Sequence, residues 1–391
     1  EKYLTFLPHS GLHNQRLALI NAMVLAKATN RTLIMPPVNI GKAANWRSDN
    51  ILAKRLSECV SKHRSFARHC GIYRKVVPIS VATVFDLTAV RAAGIRTIQR
   101  DDMDLNYFRN RLDLNSDDIY TVQDRTRFSY RIYDSRENQM DVRNYEQRIN
   151  LEDLQARPER LIQFGSLFGT PRLALQRGDL DWLRENLFTE MGMAHPIVTE
   201  QALQVIGRLG GPGQFTSLHF RQGDGVFRAT VAKTMARINM ILSRKQDLND
   251  AMTAEDEERI TSIGLLGRTN DREEHLTQCI LAQRSYAVHP RLQLIFMATD
   301  ARQPRQTLPQ LHEEYVCLFS LSDFPDILES TLTITPAPAE QAELYPSHLG
   351  PLLYPLIDAE IASYASSFIP TPKSTFSKYI HYRNQRFKAY Y

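Results

Sequence analysis

The opening 37 residues constrain the fold more than any other stretch of the chain. The apolar run Tyr3-Leu4-Thr5-Phe6-Leu7 is followed by turn chemistry at Pro8-His9-Ser10-Gly11. Over residues 14–30 apolar side chains recur at helical spacing: Leu17, Ile20, Val24, Leu25 and Ala28. Thr32-Leu33-Ile34-Met35 then reads as a second strand, stopped by Pro36-Pro37. This is a βαβ unit, the building block of a doubly wound parallel sheet.

After the breaker Gly210-Gly211-Pro212-Gly213 the pattern starts again, with a strand over 215–220, a helix over 226–244 and a buried strand over 292–298. The expected fold is therefore α/β with two Rossmann-like domains, 1–209 and 210–391, facing across a cleft. Between these landmarks the sequence predicts strands over 81–87, 95–99, 119–122 and 161–165 and a long helical stretch over 171–208. It further predicts a loop-rich insertion over 245–273, strands over 315–321 and 367–369, and helices over 274–288, 352–365 and 374–386.

The chain has 391 residues, 43% hydrophobic and 23% charged, which excludes a disordered or fibrous protein. Lys+Arg 48 minus Asp+Glu 43 gives +5, with both signs dispersed. That balance gives no reason to expect nucleic acid, and it suits local basic sites for an anionic ligand. No apolar run reaches membrane-spanning length, since residues 17–28 are interrupted by Asn21 and Lys27. The chain begins at Glu1, so a removed signal or anchor segment is an expectation. Cys59, Cys70, Cys279 and Cys317 form no C-x-x-C pair. They read either as four buried thiols or as two disulfides of an oxidising lumen, with Cys59–Cys70 closing a short loop. The sequon Asn30-Arg31-Thr32 favours the secretory route.

Polar clusters at the expected strand ends hold the candidate chemistry. Gly11-Leu12-His13-Asn14 opens the first helix, where a glycine lets backbone approach a ligand and amide N–H groups favour anions. In Leu218-His219-Phe220-Arg221-Gln222-Gly223-Asp224, strand alternation puts His219 and Arg221 on one face, and a guanidinium there suits a phosphate. An edge ion pair of Arg221 with Asp224 is the plainer reading. Ser374-Thr375-Phe376 opens the last helix after Pro370-Thr371-Pro372 and suits a pyrophosphate, or simple capping by Ser374. Asp300 ends the strand Ile295-Phe296-Met297-Ala298-Thr299, where it suits guanine N–H groups or a helix cap. Two D-x-D patterns, Asp102-Met103-Asp104 and Asp179-Leu180-Asp181, match metal-dependent glycosyltransferases; the second lies in a helical pattern as a solvated face.

Taken in order, these clusters resemble the GDP-fucose O-fucosyltransferase superfamily, which includes protein O-fucosyltransferases, plant O-fucosyltransferase-like proteins and α1,6-fucosyltransferases. The similarity rests on Gly11 with Asn14-Gln15-Arg16, Asn30-Arg31-Thr32-Leu33, His219-Phe220-Arg221, Ala298-Thr299-Asp300 and Ser374-Thr375-Phe376. It implies a GT-B fold with the GDP-sugar mostly on the C-terminal domain and the acceptor on the N-terminal one. It further implies Arg221 at the β-phosphate and glycosidic oxygen, and His219 and Asp300 at ribose and guanine. Ser374, Thr375 and Phe376 would hold phosphates, and Asn14 would lie near fucose. Gln222 stands where the α1,6 branch carries a second Arg. The first glycine segment aligns with either Asn14 or His13 at the family Asn, and it has no Glu base.

The expectation is an inverting fucosyltransferase in the ER or Golgi lumen that needs no metal or other cofactor. Arg221, Asn14 and Asp224 are its catalytic candidates. Gly11, Leu12, His13, His219, Asp300, Ser374, Thr375 and Phe376 are its GDP-fucose-binding candidates. Asp224 and His13 are candidates for the base, and a glycoprotein or glycan is the acceptor. Use of another GDP-sugar such as GDP-mannose, or GDP-sugar binding without turnover, is the alternative.

Overall fold

The computed structural model describes residues 1–61, 65, 67–223, 225–243, 252–283, 289–333 and 350–391. They group into two compact units, residues 1–195 in one and 196–333 with 350–391 in the other.

The first unit is built on strands β1 (Tyr3–Phe6), β2 (Thr32–Met35), β3 (Thr97–Gln99), β4 (Ile119–Val122) and β5 (Leu161–Phe164). They pair in the order β3-β2-β1-β5-β4, every pair parallel. β1 and β2 are buried residue by residue, as expected of central strands covered on both faces. Helix α1 (Leu12–Ala28) is buried from Gln15 to Ala26, and its polar residues are used structurally. The Gln15 amide donates to the carbonyls of Ser10 (3.0 Å) and Asn39 (2.9 Å) and accepts from the Asn39 amide (2.8 Å). Arg16 donates to the carbonyls of Phe188 and Met191, both at 2.8 Å. These lie at the C-terminal end of helix α2 (Gly178–Glu190), whose last carbonyls have no intrahelical partner. Arg31, also buried, donates to the carbonyls of Arg157 and Glu159.

Three expectations differ from the observed elements here. Residues 81–87 contain a short helix, Val81–Val84. Val81, Val84 and Phe85 are buried, which is helical spacing, and it outweighs the β-branched composition. Residues 171–208 hold the short strand Leu173–Ala174 followed by two separate helices, α2 and α3 (Pro196–Arg208). The division between units falls at their junction and not at residues 209/210, because α3 packs on helix α4 (Gly350–Ser363). An antiparallel pair, Val38–Gly41 with Val76–Ile79, and a small parallel sheet of Leu173–Ala174, Tyr130–Tyr133 and Gln147–Asn150 complete the unit.

The second unit holds β6 (Thr216–Phe220), β7 (Ile295–Thr299), β8 (Leu318–Phe319) and β9 (Ser367–Ile369), ordered β8-β7-β6-β9 and again all parallel. Leu218 and Phe220 enter a core with Ile295, Met297, Leu318 and Ile369. Alternation turns Ser217 and His219 to the opposite face, where Ser217 donates to the Ala362 carbonyl of α4. The last helix, α5 (Thr375–Tyr390), packs on α4. Residues 254–266, expected within a loop-rich insertion, are helical and start at a capping box of Thr253 and Asp256.

All four cysteines are paired, Cys59 with Cys70 and Cys279 with Cys317, so the two-disulfide reading holds. Among the described residues no helix is long and apolar enough to cross a membrane.

Candidate functional site

In the second sheet the chain runs β6 to β7 to β8 in one direction and returns to β9 on the other side of β6. In open parallel sheets ligands bind outside the carboxyl ends of the strands at such a reversal. His219, Arg221, Asp300, Ser374 and Phe376 all come to this edge.

His219 is the best-fixed of them. Its Nδ1 lies 2.7 Å from Ser377 Oγ, and its ring is tilted against Phe376 with centroids 4.6 Å apart. Ser377 Oγ also accepts from the Thr371 amide (3.0 Å), and Thr371 Oγ1 donates to the His219 carbonyl. A buried serine that accepts from an amide satisfies its own proton by donating to Nδ1. The remaining ring N–H, on Nε2, is then a donor. Burial, and secondly the Arg221 charge, push the His219 pKa down to about 3, so the ring is neutral near pH 7.

Arg221 is half-buried, one residue beyond β6, with its guanidinium 4.6 Å from the Phe227 ring centroid. The loop that carries it is pinned by Asp300, whose carboxylate accepts from the amides of Gln222 and Gly223, both at 2.9 Å. A Cβ on Gly223 would stand 2.6 Å from Asp300 Oδ2, so close approach of this carboxylate is what requires glycine. Asp300 is thus a loop clamp rather than a helix cap. Ser374 is the N-cap of α5 and accepts from the Ser377 amide at 3.3 Å, the structural role foreseen as its plainer reading. Asp224 lies outside the described residues.

The sequence reading missed Asp358. This α4 residue is buried, accepts from the Thr299 amide, and leaves Oδ1 without a hydrogen-bond partner among the described residues. Burial raises its pKa well above the usual carboxylate range. Thr299 is the last residue of β7, so this carboxyl stands at the same sheet edge. Its only sequence signal was a pair of acids, Asp358 and Glu360, inside the mainly apolar helix segment Leu356-Ile357-Asp358-Ala359-Glu360-Ile361.

Gly11, Leu12, His13 and Asn14 belong to the first unit, at the start of α1. Gly11 is the N-cap at φ −73°, and a Cβ there would meet only Ala43 Cβ at 3.9 Å, so the fold does not itself demand glycine. The Asp102-Met103-Asp104 segment is a turn: Asp102 Oδ1 accepts from the Asp104 amide, Asp104 Oδ1 accepts from the Asn106 amide, and Met103 is buried. Asp179 and Asp181 pair with Arg177 and Arg184, a solvated helix face as expected. Among the described residues the one three-residue group with metal-ligand spacing is Cys59, His69 and Cys70, whose two sulfurs are bonded to each other. A cavity of about 770 Å³ in the second unit includes none of the predicted residues. Of its arginines, Arg272 and Arg305 are tied to Asp323 and the Gly267 carbonyl, and Arg291 to the carbonyls of Glu313 and Glu314.

No protein-family model matches the chain, and no curated protein matches it significantly. Solved structures similar to it are fucosyltransferases. POFUT1 in complex with GDP shares 11% identity over 99% of this chain and 96% of that one, with a TM-score of 0.45. POFUT1 in complex with GDP-fucose shares 11% over 99% and 95%, with a TM-score of 0.43. The fucosyltransferase NodZ from Bradyrhizobium shares 13% over 97% and 93%, with a TM-score of 0.43.

Proposed function

We propose that the protein is an inverting, metal-independent fucosyltransferase that moves L-fucose from GDP-β-L-fucose to a hydroxyl of a protein or glycan acceptor. The observation that carries this reading is the cation at Arg221 beside a neutral, aromatic-backed His219, at the strand reversal of a parallel sheet. In it Arg221 meets the β-phosphate, and the His219 Nε2–H donates to a ribose or phosphate oxygen. Thr375, Phe376 and the first amides of α5 hold the diphosphate, with Ser374 fixing that turn. Asp358 Oδ1 accepts from guanine N–H groups, and Asp300 serves the base indirectly by holding the 221–223 loop. Gly11, Leu12, His13 and Asn14 act on the sugar side, as the resemblance implies, and the GT-B arrangement of the two units is part of the proposal.

In the transfer the bond from fucose C1 to the β-phosphate oxygen breaks as the acceptor oxygen bonds to C1 from the opposite face, giving an α-linked product. Negative charge grows on the departing diphosphate. A fixed guanidinium stabilises that charge more in the transition state than in the ground state. The acceptor proton passes to Asp224 or His13, or to solvent. The two disulfides support an ER or Golgi lumen as the site of action.

Arg221→Ala should lower kcat by ~10²-fold or more, by analogy with loss of one preorganised electrostatic contact. GDP release from GDP-fucose reads this directly, with GDP-mannose run beside it. Near-normal turnover in the variant would refute the role of Arg221. Activity should persist in EDTA; loss there would restore Asp102 and Asp104 as metal ligands.

A further inference from the structure

The first sheet also reverses, between β1 and β5: the chain runs β1 to β2 to β3 on one side, and β4 and β5 lie on the other. Three side chains form a hydrogen-bonded file across the carboxyl ends of these two strands. His9 Nδ1 lies 2.8 Å from Ser10 Oγ, and His9 Nε2 lies 2.7 Å from Ser166 Oγ. His9 and Ser10 follow β1, and Ser166 follows β5. The proposed transfer gives this file no role, and a turn reading of Pro8-His9-Ser10-Gly11 does not require it.

Hydrogen-bond accounting sets its direction. Ser166 is buried, and its Oγ already accepts from the Phe168 amide (3.2 Å). Its hydroxyl proton therefore goes to His9 Nε2, since a buried hydroxyl left without an acceptor is costly. His9 then carries its proton on Nδ1 and donates to Ser10 Oγ. Burial, then the charges of Arg172 and Arg127, push the His9 pKa down to about 4, which keeps the ring neutral and this tautomer in place at pH 7. Ser10 is half-buried, and among the described residues its Oγ bonds only to His9. It therefore keeps one O–H to donate and one lone pair to accept with.

Ser10 also sits at φ 68°, a left-handed conformation costly for a residue with a Cβ. It is held there by its amide donating to Ala44 (2.6 Å) and by Gln15 donating to its carbonyl (3.0 Å). An alcohol O–H matches the donor and acceptor capacity that remains, whereas a phosphate oxygen would use only the donor. A neutral imidazole and a hydroxyl also bring no charge to an anion.

We propose that Ser10, oriented by His9 and Ser166, hydrogen-bonds a sugar hydroxyl at the strand reversal of the first sheet. The assignment of a sugar as ligand rests on the fucosyltransferase reading; the direction of the file does not.

The test is nitrogen-15 NMR of the full chain at pH 7, with GDP, GDP-fucose and a panel of methyl pyranosides as probes. His9 should show a protonated Nδ1 and an unprotonated Nε2. GDP-fucose or a pyranoside should shift the Nδ1 signal, and GDP should not. A response to GDP-fucose places the donor sugar at Ser10; a response only to a pyranoside places the acceptor there. Ser10→Ala should weaken the responding compound ~3–10-fold, the loss of one hydrogen bond. Ser10→Gly should lose the same affinity with a smaller fall in Tm than Ser10→Ala, because both leave the buried His9 Nδ1–H without its acceptor and only glycine relieves the left-handed strain. A purely structural serine would leave affinity unchanged. A protonated Nε2, a shift with GDP alone, or no shift with any sugar overturns the proposal. If no GDP-sugar is turned over and a pyranoside still moves His9, the donor reading fails while this site stands.

Discussion

Asp358 and Asp300 show how two carboxylates at one sheet edge divide their work. Asp300 spends both oxygens on backbone amides and so shapes the loop that carries Arg221. Asp358 keeps one buried oxygen without a partner among the described residues, at a cost the fold would avoid unless a ligand used it. Asp358→Asn should therefore raise Tm, since a neutral amide is buried without the proton uptake that the raised Asp358 pKa demands at neutral pH, while it weakens GDP by tenfold or more. A carboxylate accepts from guanine N1–H and N2–H₂, whereas an amide can donate to the xanthine O2, so xanthosine diphosphate should lose less or gain. Calorimetric titration of both nucleotides checks this, and unchanged GDP affinity would leave Asp358 a structural residue. Strand-end residues such as His219 and Arg221 were legible because alternation after an apolar run fixes their face. Thr371, Ser377 and Asp358 were not, because they reach the edge from the following loop and helices through contacts that no sequence spacing encodes. His9 and Ser10 were read only as a turn for the same reason, since their partner Ser166 lies 157 residues from His9.

At the scale of elements, the parallel strands of the two larger sheets were the most readable part of the chain. β2, β4 and β9 fall on the residues expected: β2 is buried throughout, whereas β4 and β9 are half-buried sheet-edge strands marked by short runs between turn signals. The antiparallel pair at 38–41 and 76–79 and the small third sheet were missed. Their strands are four residues or fewer, and Gln147–Asn150 is polar and half-exposed. Helix Ala254–Leu266 was legible in principle: Thr253-Ala254-Glu255-Asp256 is a capping box at the head of a stretch whose charge hid it. The disulfides act on elements too. Cys59–Cys70 spans 11 residues, whereas Cys279–Cys317 spans 38 and ties helix Arg272–Ala282 to the residue before β8. Loop-closure entropy then predicts about 3 kcal/mol for the first and about 4 kcal/mol for the second. Urea melts of the two paired Cys→Ser variants should rank them in that order, with the Cys279/Cys317 pair the more destabilised. The reverse ranking would mean that native-state contacts, not the unfolded chain, set the effect.

At the scale of the whole molecule, the buried titratable groups fix how the fold answers acid. His9, His275 and His312 have pKa values pushed down to about 4 and His219 to about 3, in each case first by burial and then by a nearby arginine. Each is neutral when folded and takes a proton near pH 6.5 when unfolded, so its contribution is complete above that pH and is lost as pH falls toward the folded value. Asp124, raised to about 7 by burial, and Asp358, also raised by burial, act oppositely, because the folded state holds their protons. His195, lowered by burial alone, adds to the histidine side, so the unfolded chain takes up more protons than the folded one as pH falls below about 6.5. Each excess proton removes about 1.4 kcal/mol of stability per pH unit. Against a usual stability of about 5–15 kcal/mol, the urea midpoint should fall steeply between pH 6.5 and 4.5. His312→Gln should reduce the slope by about one proton, and a midpoint that holds or rises in acid would mean these imidazoles are charged in the native state. Because His9 and His219 stand at the reversal points of the two sheets and stay neutral until pH about 4 and about 3, neither should titrate within the working range. Acid loss of transfer activity should therefore track the loss of folded protein measured by fluorescence. An activity limb that falls above the unfolding transition would point to Asp224 or another group outside this pair.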